Sequence, residues 1–417
     1  MRVLVIGAGP AGLAAAAAAR AAGASVTLLD AYDRVGGQYW RGSAVPYDEN
    51  HVKAEVWTIE PPRTVHALVG GEMRTYEPDA LVLATGAHDR TLPFPGWDLP
   101  GVVTGGAAQA LAKSEGTAIG RRVVVAGAGP FLLPVATSLA RVGARVVGVY
   151  EAARSFSGYV GLDAIGKSGE FLSYLATMAR RRIPYRVGKA VVAANGVDRV
   201  ESVTVASVDR LWRPLPGTEQ RIRVDAVCVS HGFTPRLELA LAAGCDLSPD
   251  RFVAVDNAQR TSVPGVFAAG EITGIGGAQL ARVEGEIAGL CAAGSPPPGK
   301  LVRRRQALRR FAMRMGKVHA IGAGWRAWLT GDTLVCRCEE VSFDFLRKTR
   351  VAYGDAGLRS LKLGTRAGLG ICQGRICGRT VEDLLSAAPD GATTDRRPIA
   401  IPVRLGDLAS ERGKDDE

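Results

Sequence analysis

The stretch from Val3 to Asp30 constrains the fold more strongly than any other part of this chain. It opens with four apolar residues, Val3 to Ile6, as expected of a parallel strand that is buried on both faces. The glycine-rich segment 7–12 then leads into an alanine-rich run and a second apolar run that ends at Asp30. This order predicts a strand, a tight turn, a helix and a second, neighbouring strand.

The glycines and the terminal acid of this stretch have the spacing of a dinucleotide-binding site. Gly7 permits a tight turn, Gly9 lets the backbone approach a pyrophosphate, and Gly12 lets the helix pack against the strand. Asp30 lies 18 residues after Gly12, where a carboxylate can hold a ribose hydroxyl. A nucleotide site is therefore favoured over a βαβ unit without a ligand. Including the start of the helix, the predicted residues are Gly7, Gly9, Pro10, Ala11, Gly12 and Asp30.

Length and charge narrow the functional classes. At 417 residues the chain is long enough for roughly two to three domains with their own cores. Its net charge is +11, and much of the excess lies between Arg303 and Lys317. A basic patch can bind nucleic acid, but 6% aromatic residues and the lack of a recognisable nucleic-acid-binding motif argue against such a partner. A solvated helix face or an acidic partner protein explains the charge better.

The N-terminal apolar run does not have the form of a secretory signal or a membrane span. Glycines and Pro10 interrupt it where a signal peptide needs an unbroken apolar core, and Arg20 ends it too early for a membrane helix. The predicted strand begins at residue 3, which leaves no room for a removable leader. Cys228, Cys245 and Cys291 lie in apolar contexts typical of buried thiols. Free cysteines fit a reducing compartment, so we expect a cytoplasmic protein without a transmembrane segment.

Three later segments resemble the flavin-contacting motifs of two-dinucleotide flavoproteins. Gly36-Gly37-Gln38 follows the first acid, as a glycine pair does in that class, although an ordinary turn is the alternative. The segment 80–86, ALVLATG, resembles a strand and turn beside the cofactor, and the segment 261–271, TSVPGVFAAGE, resembles the second flavin motif. The acid of that motif normally hydrogen-bonds the ribityl chain. The residues that this resemblance adds to the predicted site are Gly37, Gln38, Thr85, Gly86, Gly270 and Glu271.

The segment from Val123 to Glu151 repeats the opening pattern and predicts a second Rossmann-like unit. Gly127 and Gly129 match the first two glycines, but Leu132 stands where the third is expected. A leucine there is expected to push the helix away from the strand and to narrow the phosphate cleft. Glu151 lies 19 residues after Leu132 and could still hold a ribose. We therefore predict a degenerate second nucleotide site.

A proline-rich linker and a basic helix precede the C-terminal part of the chain. The segment 295–299, SPPPG, is typical of a linker. The segment from Leu301 to about Gly316 carries apolar residues at helical spacing between its arginines. The better interpretation is a helix that packs its apolar stripe and exposes a solvated basic face.

Four cysteines near the C-terminus form two pairs that suit a metal–sulfur site. Cys336 and Cys338 are separated by 33 residues from Cys372 and Cys377. Four thiolates from two loops fit a [2Fe–2S] cluster or a zinc ion, and the C-x-C spacing beside a predicted flavin favours the cluster. No histidine lies between residues 330 and 378, which excludes a Rieske-type site. Ser342 is predicted to cap the helix after the first pair.

The segments CRCEEVS and LKLGTRAGLGICQGRICGRT resemble the bacterioferritin-associated-ferredoxin-like [2Fe–2S] domain, in the variant whose second pair is C-x4-C. Together with GAGPAG, GGQ, GAGPFLLPVA and VFAAGEITGIGGAQLA, they make nearly the whole chain similar to one family of alpha-type subunits. These subunits belong to opine oxidases, dye-linked proline and hydroxyproline dehydrogenases and hydrogen cyanide synthase. The connection between Gln38 and Ala54 is shorter than this family leads us to expect.

The resemblance implies an α/β fold. We expect a two-dinucleotide-binding, Rossmann-like flavoprotein of the pyridine-nucleotide-disulfide oxidoreductase type, followed by a small α-helical [2Fe–2S] domain. The expected divisions are 1–107 and 251–295 for the two parts of the FAD-binding domain, 108–250 for the second Rossmann-like domain, 296–333 for the linker and basic helix, 334–388 for the [2Fe–2S] domain and 389–417 for a tail.

The resemblance also implies FAD and a [2Fe–2S] cluster as cofactors, and NAD(P) is not expected. No C-x-x-C lies between Gly37 and Gly86, which excludes thioredoxin-reductase chemistry. The implied function is an electron-transferring subunit of an amino-acid or opine dehydrogenase complex. Substrate oxidation is then expected on a partner flavoprotein of the D-amino-acid-oxidase type, and a small [2Fe–2S] ferredoxin-like subunit is a second candidate partner.

Two alternatives remain open at this point. The chain could be a self-sufficient NAD(P)H-dependent reductase that passes electrons outward through the cluster, which Leu132 disfavours and Glu151 permits. It could also be a scaffold whose first site holds an adenine nucleotide without a flavin. No residue is predicted to be a catalytic base. His88 and His231 lie at predicted strand ends, and a structural role is the better interpretation of both.

Overall fold

The computed structural model describes residues 1–43, 51–154, 168–354, 357–385, 393–397 and 399–412. In chain order, the strands are β1 (Arg2–Ile6), β2 (Ser25–Asp30), β3 (His51–Lys53), β4 (Glu55–Glu60), β5 (Thr64–Val69), β6 (Glu72–Tyr76), β7 (Ala80–Leu83), β8 (Ala87–Asp89), β9 (Val102–Thr104), β10 (Arg122–Gly127), β11 (Arg145–Glu151), β12 (Tyr185–Val187), β13 (Lys189–Asn195), β14 (Ser202–Ser207), β15 (Gln220–Arg223), β16 (Ala226–Ser230), β17 (Phe233–Pro235), β18 (Val266–Ala268), β19 (Leu334–Cys336) and β20 (Val341–Ser342).

The α-helices, again in chain order, are α1 (Pro10–Ala21), α2 (Gly105–Ser114), α3 (Leu132–Arg141), α4 (Ser168–Arg180), α5 (Glu238–Ala242), α6 (Ala278–Ala292), α7 (Gly299–Val318), α8 (Phe343–Tyr353), α9 (Leu358–Thr365), α10 (Gly378–Leu385) and α11 (Leu405–Arg412). Short 3-10 helices occupy Gly270–Thr273 and Ala323–Trp328. None of the helices in the described ranges combines the length and the apolar character that crossing a bilayer requires.

The chain folds into two compact units, and each unit is built from segments that are distant in sequence. The first unit takes its residues from 1–88, 235–313 and 396–417, and the second takes its residues from 89–234 and 314–395. The predicted α/β class is confirmed in both units, because each contains a parallel sheet with helices packed on it. The finer division into six segments stays a prediction.

A five-stranded parallel sheet forms the centre of the first unit, in the order β18-β7-β1-β2-β3. The predicted strand, turn, helix and second strand are confirmed as β1, α1 and β2 with the turn between them. Elements cover β1 and β7 on both faces, so Val3 to Ile6 and Ala80 to Leu83 are all buried. The antiparallel strands β4 to β6, together with α5, cover one face of this sheet.

Helices α1 and α6 cover the other face of the sheet. They pack so closely that the backbone of one helix contacts the backbone of the other. A Cβ atom at Gly285 would lie 2.0 Å from the carbonyl oxygen of Ala11, and one at Gly289 would lie 2.1 Å from that of Ala15. Alanines on α1 and glycines on α6 therefore permit a contact that larger side chains would prevent. This explains why the first helix is rich in alanine, a residue that buries little apolar area by itself.

The basic helix α7 packs its apolar side and exposes much of its basic face, including Arg303, Arg304 and Arg310, as predicted, but two arginines depart from that face. Leu308 packs on the core of the first unit, and Phe311 is buried. Arg305 and Arg309 turn inward because both pair with Glu284 of α6, a side chain without solvent exposure. A buried carboxylate needs charged or hydrogen-bonding partners, and these arginines supply them.

Glu284 also ties α6 to the 3-10 turn Gly270–Thr273. Its Oε1 accepts hydrogen bonds from Arg305 Nε, at 3.4 Å, and from the Arg309 guanidinium. Its Oε2 accepts from the Gly270 N–H at 3.1 Å and from the Thr273 hydroxyl at 3.0 Å. Donors from two separate segments, α7 and the 3-10 turn, thus meet at one carboxylate of α6 in the first unit.

The second unit repeats the parallel-sheet design, with strand order β12-β11-β10-β16-β9. The second Rossmann-like unit predicted from Val123 to Glu151 is confirmed as β10, α3 and β11. Helix α3 covers one face, and the antiparallel strands β13 to β15 cover the other. Trp212, Trp325 and Trp328 complete the core beneath the antiparallel strands.

Residues 334–385 form a small, mainly helical region within the second unit. Its core includes Val335, Leu346 and Leu361, which come from β19, α8 and α9. Ser342 caps α8 as predicted, since its hydroxyl accepts a hydrogen bond from the Phe345 N–H at 3.2 Å. The region therefore has a core of its own in addition to its contacts with the rest of the unit.

Two polar contacts fasten this cysteine-containing region to the rest of the second unit. Arg90 is buried and forms an ion pair of 2.6 Å with Asp383 of α10. The Trp97 indole donates a hydrogen bond of 2.6 Å to the Leu334 carbonyl at the start of β19. The segment between Arg90 and Trp97 is thereby held against both ends of the region.

We expect Glu284→Gln to destabilise the first unit by about 3 kcal/mol, because it leaves two inward-facing arginines without their carboxylate. The matched control is Glu286→Gln on the same helix, where the side chain is exposed and the change should stay within about 0.5 kcal/mol. Urea unfolding of both variants beside the wild type measures the difference. Equal midpoints for Glu284→Gln and the wild type would show that the ion-pair network adds nothing to stability.

Candidate functional site

The glycine turn after β1 is formed by backbone contacts that side chains would prevent. Gly7 has a φ of +104°, and a Cβ atom there would lie 2.3 Å from the carbonyl oxygen of Ala84. A Cβ atom at Gly12 would lie 1.7 Å from the Gly7 carbonyl oxygen. Among the described residues, none comes within 4 Å of the same position at Gly9. The turn therefore leaves open space beside the first N–H groups of α1, where a pyrophosphate could bind.

Asp30 holds this turn in place from the end of β2. Its Oδ2 accepts a hydrogen bond from the Ala8 N–H at 2.5 Å, and its Oδ1 accepts one from the Tyr32 N–H at 2.8 Å. The carboxylate is only half-buried, and each of its oxygens has room for a second hydrogen bond. Asp30 is thus placed both to shape the turn and to accept a hydroxyl.

The Gly36-Gly37 pair lies directly on the glycine turn. The Gly36 N–H donates to the Ala8 carbonyl at 2.7 Å. Gly37 has a φ of +57°, and a Cβ atom there would lie 3.0 Å from the Cα of Gly9. Gln38 uses its side-chain oxygen to accept a hydrogen bond from Arg41 Nε at 3.1 Å. The glycine pair is therefore part of the nucleotide turn rather than an unrelated loop.

Gly270 and Glu271 reach the same place from the far end of the chain. Gly270 has a φ of +82°, and a Cβ atom there would lie 2.8 Å from the Cβ of Ala11 in the first turn of α1. The Glu271 carboxylate accepts a hydrogen bond of 2.7 Å from the Gly277 N–H, just before α6. Residues predicted separately from the two ends of the first unit are thus neighbours.

Thr85 and Gly86 lie in the turn that follows β7. The Thr85 hydroxyl donates to the Arg236 carbonyl at 2.8 Å, and the Gly86 carbonyl accepts from the Arg236 N–H at 3.0 Å. Both hydrogen bonds fix the turn at the carboxyl end of the sheet, where ligands of parallel α/β sheets bind.

Glu284, described above, completes this site and was missed by sequence reasoning. It holds the N–H of Gly270, so it fixes the turn that carries the predicted flavin acid. A signal was available: Glu284 lies four residues after Leu280 and three before Ile287, on the apolar face of α6. An acid on such a face needs a buried partner.

The second glycine motif differs from the first at the start of its helix. Helix α1 begins three residues after Gly7, whereas α3 begins five residues after Gly127. Leu132, the residue in place of the third glycine, opens α3 and is buried in the core of the second unit. In the second motif the N–H groups of Leu132 and Leu133 donate to the carbonyls of Gly129 and Pro130, so this helix starts with a tighter, 3-10-type turn.

The side chain of Glu151, at the end of β11, points toward the second glycine motif. Its carboxylate accepts a hydrogen bond from the Gly129 N–H at 3.0 Å and one from the Tyr185 hydroxyl at 2.7 Å. His319 Nδ1 lies 3.3 Å from the same carboxylate. Glu151 is only 2% exposed, so protein groups surround the acid that was expected to meet a ribose.

His231, one of the two histidines at strand ends, is buried next to the aromatic core of the second unit. Its ring centroid lies 6.2 Å from that of Trp212 and 5.9 Å from that of Trp328. Burial, together with the nearby Arg90 charge, lowers the pKa of His231 to about 3. A neutral imidazole packed among indoles supports the structural interpretation of this residue.

The two cysteine pairs meet in the second unit. Cys377 hydrogen-bonds both Cys336 and Cys372, and Cys372 hydrogen-bonds Cys338. A Cβ atom at Gly370 would lie 2.5 Å from the Cβ of Cys338, so the absence of a side chain there lets the two loops approach. In the described ranges, no group of three or more histidine, cysteine or acidic side chains is arranged around the position of a single metal ion.

Hydrogen bonds at these sulfurs favour the thiolate form at two of the four positions. The Cys377 thiol holds the pKa of Cys336 and that of Cys372 below the usual range of a cysteine. Backbone N–H groups of Gly368 and Gly374 act in the same direction on Cys336 and Cys372 respectively. Glycines close to the second cysteine pair therefore supply backbone N–H donors to two of the four sulfurs.

A cavity of about 230 Å³ adjoins the four cysteines. A water molecule occupies about 30 Å³ of liquid, so the cavity has room for a group of several atoms. All four thiols line it, and the remaining lining is largely apolar. The other lining residues are Thr91, Trp97, Val102, Val103, Thr104, Val229, Arg337 and Ile376. Four convergent sulfur donors beside a cavity of this size fit a [2Fe–2S] cluster.

Known proteins similar to this chain cover most of its length. It is 33% identical to the opine oxidase A chain of Rhizobium meliloti, over 98% of this chain and 87% of the relative. It is also 33% identical to the hydrogen cyanide synthase component HcnB of Pseudomonas protegens, over 92% of both chains. These matches confirm the resemblance that the sequence motifs indicate.

Solved structures support the same fold. L-proline dehydrogenase from P. horikoshii superimposes with a TM-score of 0.67 over 98% of this chain and 79% of its own, at 21% identity. Thioredoxin reductase from T. acidophilum has a TM-score of 0.54 over 70% of this chain and 97% of its own, at 23% identity. Residues 1–285 match the pyridine nucleotide-disulphide oxidoreductase family. The chain therefore belongs to this family and is a FAD-dependent oxidoreductase.

Proposed function

We propose that this chain is the FAD- and [2Fe–2S]-containing subunit that carries electrons in a multi-subunit amino-acid or opine dehydrogenase complex. The observation that carries the proposal is the convergence of Cys336, Cys338, Cys372 and Cys377 on one cavity in a FAD-dependent oxidoreductase. Two of its relatives are themselves named as subunits, of opine oxidase and of hydrogen cyanide synthase.

The first unit would hold FAD through groups that already surround its open glycine turn. N–H groups at the start of α1 would bind the pyrophosphate, and the Asp30 carboxylate would accept a ribose hydroxyl. Glu271 would approach the ribityl chain from the turn that Glu284 fixes. The residues assigned to FAD are Gly7, Gly9, Pro10, Ala11, Gly12, Asp30, Gly37, Gln38, Thr85, Gly86, Gly270 and Glu271.

The second unit would hold the cluster through the four cysteines. Two of them, Cys336 and Cys377, are buried, whereas Cys372 is half-buried and Cys338 is exposed. A bound [2Fe–2S] cluster would exchange single electrons, so a flavin that is reduced by two electrons could be reoxidised in two one-electron steps. The exposure of Cys338 leaves one side of the site open to a partner, while the apolar wall keeps water from the other.

We assign substrate oxidation to a partner flavoprotein of the D-amino-acid-oxidase type, and a small [2Fe–2S] ferredoxin-like protein is the second candidate partner. The relatives named as the A chain of opine oxidase and the alpha chain of sarcosine oxidase support an assembly of this kind. Among the described residues, His231 is buried and its pKa is lowered to about 3, so it is too weak a base to take a proton from a substrate near neutral pH. We also propose a cytoplasmic location, because all seven cysteines are free.

The competing function, a stand-alone NAD(P)H-dependent reductase, is disfavoured by the second glycine motif. Asp30 in the first unit is half-buried and keeps acceptor capacity, whereas Glu151 is enclosed by Gly129, Tyr185 and His319. The N–H group of Leu132, which opens α3, donates to the Gly129 carbonyl. A nicotinamide dinucleotide would have to displace protein groups to bind here.

We expect Gly9→Val to yield protein without bound flavin, because the side chain fills the open space of the turn. Since no described residue lies within 4 Å of that position, the variant should still fold. Gly406→Val is the matched control: Gly406 also has no neighbour within 4 Å among the described residues, but it lies in α11. The visible spectrum of the purified proteins is the measurement. A flavin spectrum in Gly9→Val would overturn the assignment, and wild type holding an adenine nucleotide without flavin would support the scaffold alternative.

NADH and NADPH should be poor reductants of the bound flavin. We expect anaerobic flavin reduction far slower than a typical enzymatic turnover of about 10 per second, because protein groups already occupy the Glu151 carboxylate and Leu132 replaces the third glycine. Stopped-flow bleaching of the flavin measures the rate, and dithionite provides the positive control. Rapid bleaching by either nucleotide would promote the reductase alternative.

Cys372→Ser should retain FAD but lose the cluster and slow electron transfer from the partner flavoprotein to an external acceptor. Wild type should contain about two iron atoms and two acid-labile sulfides per chain and give a reduced-cluster signal in electron paramagnetic resonance. The matched control is Cys291→Ser, a buried cysteine of the first unit, which should leave these values unchanged. One zinc per chain, with no iron and no sulfide, would rule out the electron-transfer role of this region.

A further inference from the structure

We propose that the Thr91 hydroxyl donates a hydrogen bond to a sulfur of the [2Fe–2S] cluster and thereby raises its reduction potential. The inference rests on the proposed function, since it assumes that the four cysteines hold the cluster. It concerns a residue outside the cysteine region, in the segment between β8 and β9.

The Thr91 hydroxyl is a buried polar group without a protein partner. Thr91 is 2% exposed, and its Oγ1 makes no hydrogen bond to any residue that the structure describes. Leaving a buried hydroxyl unpaired is unfavourable, so a partner is expected in the working protein. Thr91 lines the same cavity as Cys336, Cys338, Cys372 and Cys377. The partner is therefore most simply the group that fills this cavity.

The other hydroxyl in the cavity wall is already used. Thr104 caps α2 by accepting a hydrogen bond from the Ala107 N–H at 3.1 Å, and it also hydrogen-bonds the Asp89 carboxyl. Most of the remaining wall is apolar, including Val102 and Val229, so it offers a water molecule few partners. An unpaired donor in an apolar wall beside four sulfurs points to a sulfur acceptor rather than to solvent.

The backbone of Thr91 is held firmly enough to position its side chain. The Thr380 hydroxyl of α10 donates to the Thr91 carbonyl at 3.2 Å, and neighbouring Arg90 pairs with Asp383 of the same helix at 2.6 Å. Because α10 begins directly after Cys377, these contacts fix Thr91 relative to one cluster ligand. The backbone of Thr91 is thus fixed, while its hydroxyl hydrogen can rotate to suit an acceptor.

A hydrogen bond from the Thr91 hydroxyl would stabilise the reduced cluster more than the oxidised cluster. Adding one electron increases the negative charge on the sulfurs, so a donor stabilises the reduced state more than the oxidised state. The effect of Thr91 should therefore appear as a higher reduction potential, separate from any effect on cluster assembly.

The test compares four variants by redox titration monitored by electron paramagnetic resonance. Thr91→Val has nearly the same shape and lacks the hydroxyl, so at a given ambient potential its ratio of reduced to oxidised cluster should fall about tenfold, equivalent to about 59 mV for one electron. Thr91→Ala should shift it in the same direction and serves if the valine variant loses its cluster. Thr91→Ser keeps the donor and should restore the wild-type potential. Thr104→Val, in the same cavity wall, should leave the potential unchanged.

The outcomes separate this inference from the proposed function. One outcome would overturn the role of Thr91 and leave the cluster assignment intact. In it the wild type contains iron and sulfide, but the reduction potentials of Thr91→Val and Thr91→Ala equal that of the wild type. Equal shifts in Thr91→Val, Thr91→Ser and Thr104→Val would likewise overturn it, because packing rather than the hydroxyl would then set the potential. Wild type without iron and sulfide would overturn both.

Discussion

Backbone contact at the carboxyl end of the first strand is the constraint on which both units depend. In the first unit a Cβ atom at Gly7 would lie 2.3 Å from the Ala84 carbonyl oxygen. In the second unit a Cβ atom at Gly127 would lie 1.7 Å from the Ser230 carbonyl oxygen. Only glycine allows neighbouring strands to end this close together, with the chain leaving the sheet toward a helix. The turns at Gly9 and at Gly129 are both built on this contact, and a Cβ atom at either glycine would have no described neighbour within 4 Å.

The two units then diverge because of a few side chains around the same backbone plan. The acid at the end of β2 is an aspartate that reaches the Ala8 N–H and stays half-buried. The acid at the end of β11 is a glutamate, one methylene longer, which reaches the Gly129 N–H and is enclosed by Tyr185. One unit is thus left open for a ligand, and the other satisfies its own polar groups. Val102 and Val229, on two strands of the second sheet, also form part of the wall beside the cysteines.

Short-range patterns made much of the fold predictable. The strands, the glycine turn and α1 follow from residue spacing over fewer than thirty positions, and each was found where the sequence indicates it. The helix cap at Ser342 is equally local, because a hydroxyl meets an N–H three residues later. The four cysteines could be chosen by spacing alone, and the structure gathers them at one cavity.

The amino-acid sequence by itself thus determined the α/β class, the glycine turn of the first unit and the replacement of a glycine by Leu132, because each depends on residues close together in the chain. Only the tertiary structure decided where the buried polar groups find partners. Glu284 meets Arg305 and Arg309 from another helix, which turned two residues of the predicted solvated face inward. Glu151 contacts His319, which lies 168 residues later in the sequence. Thr91 lines the same cavity as cysteines that lie more than 240 residues later in the sequence. The physical reason is the same in each case: a buried charge or hydroxyl must be paired, but which distant group pairs with it depends on how the elements pack.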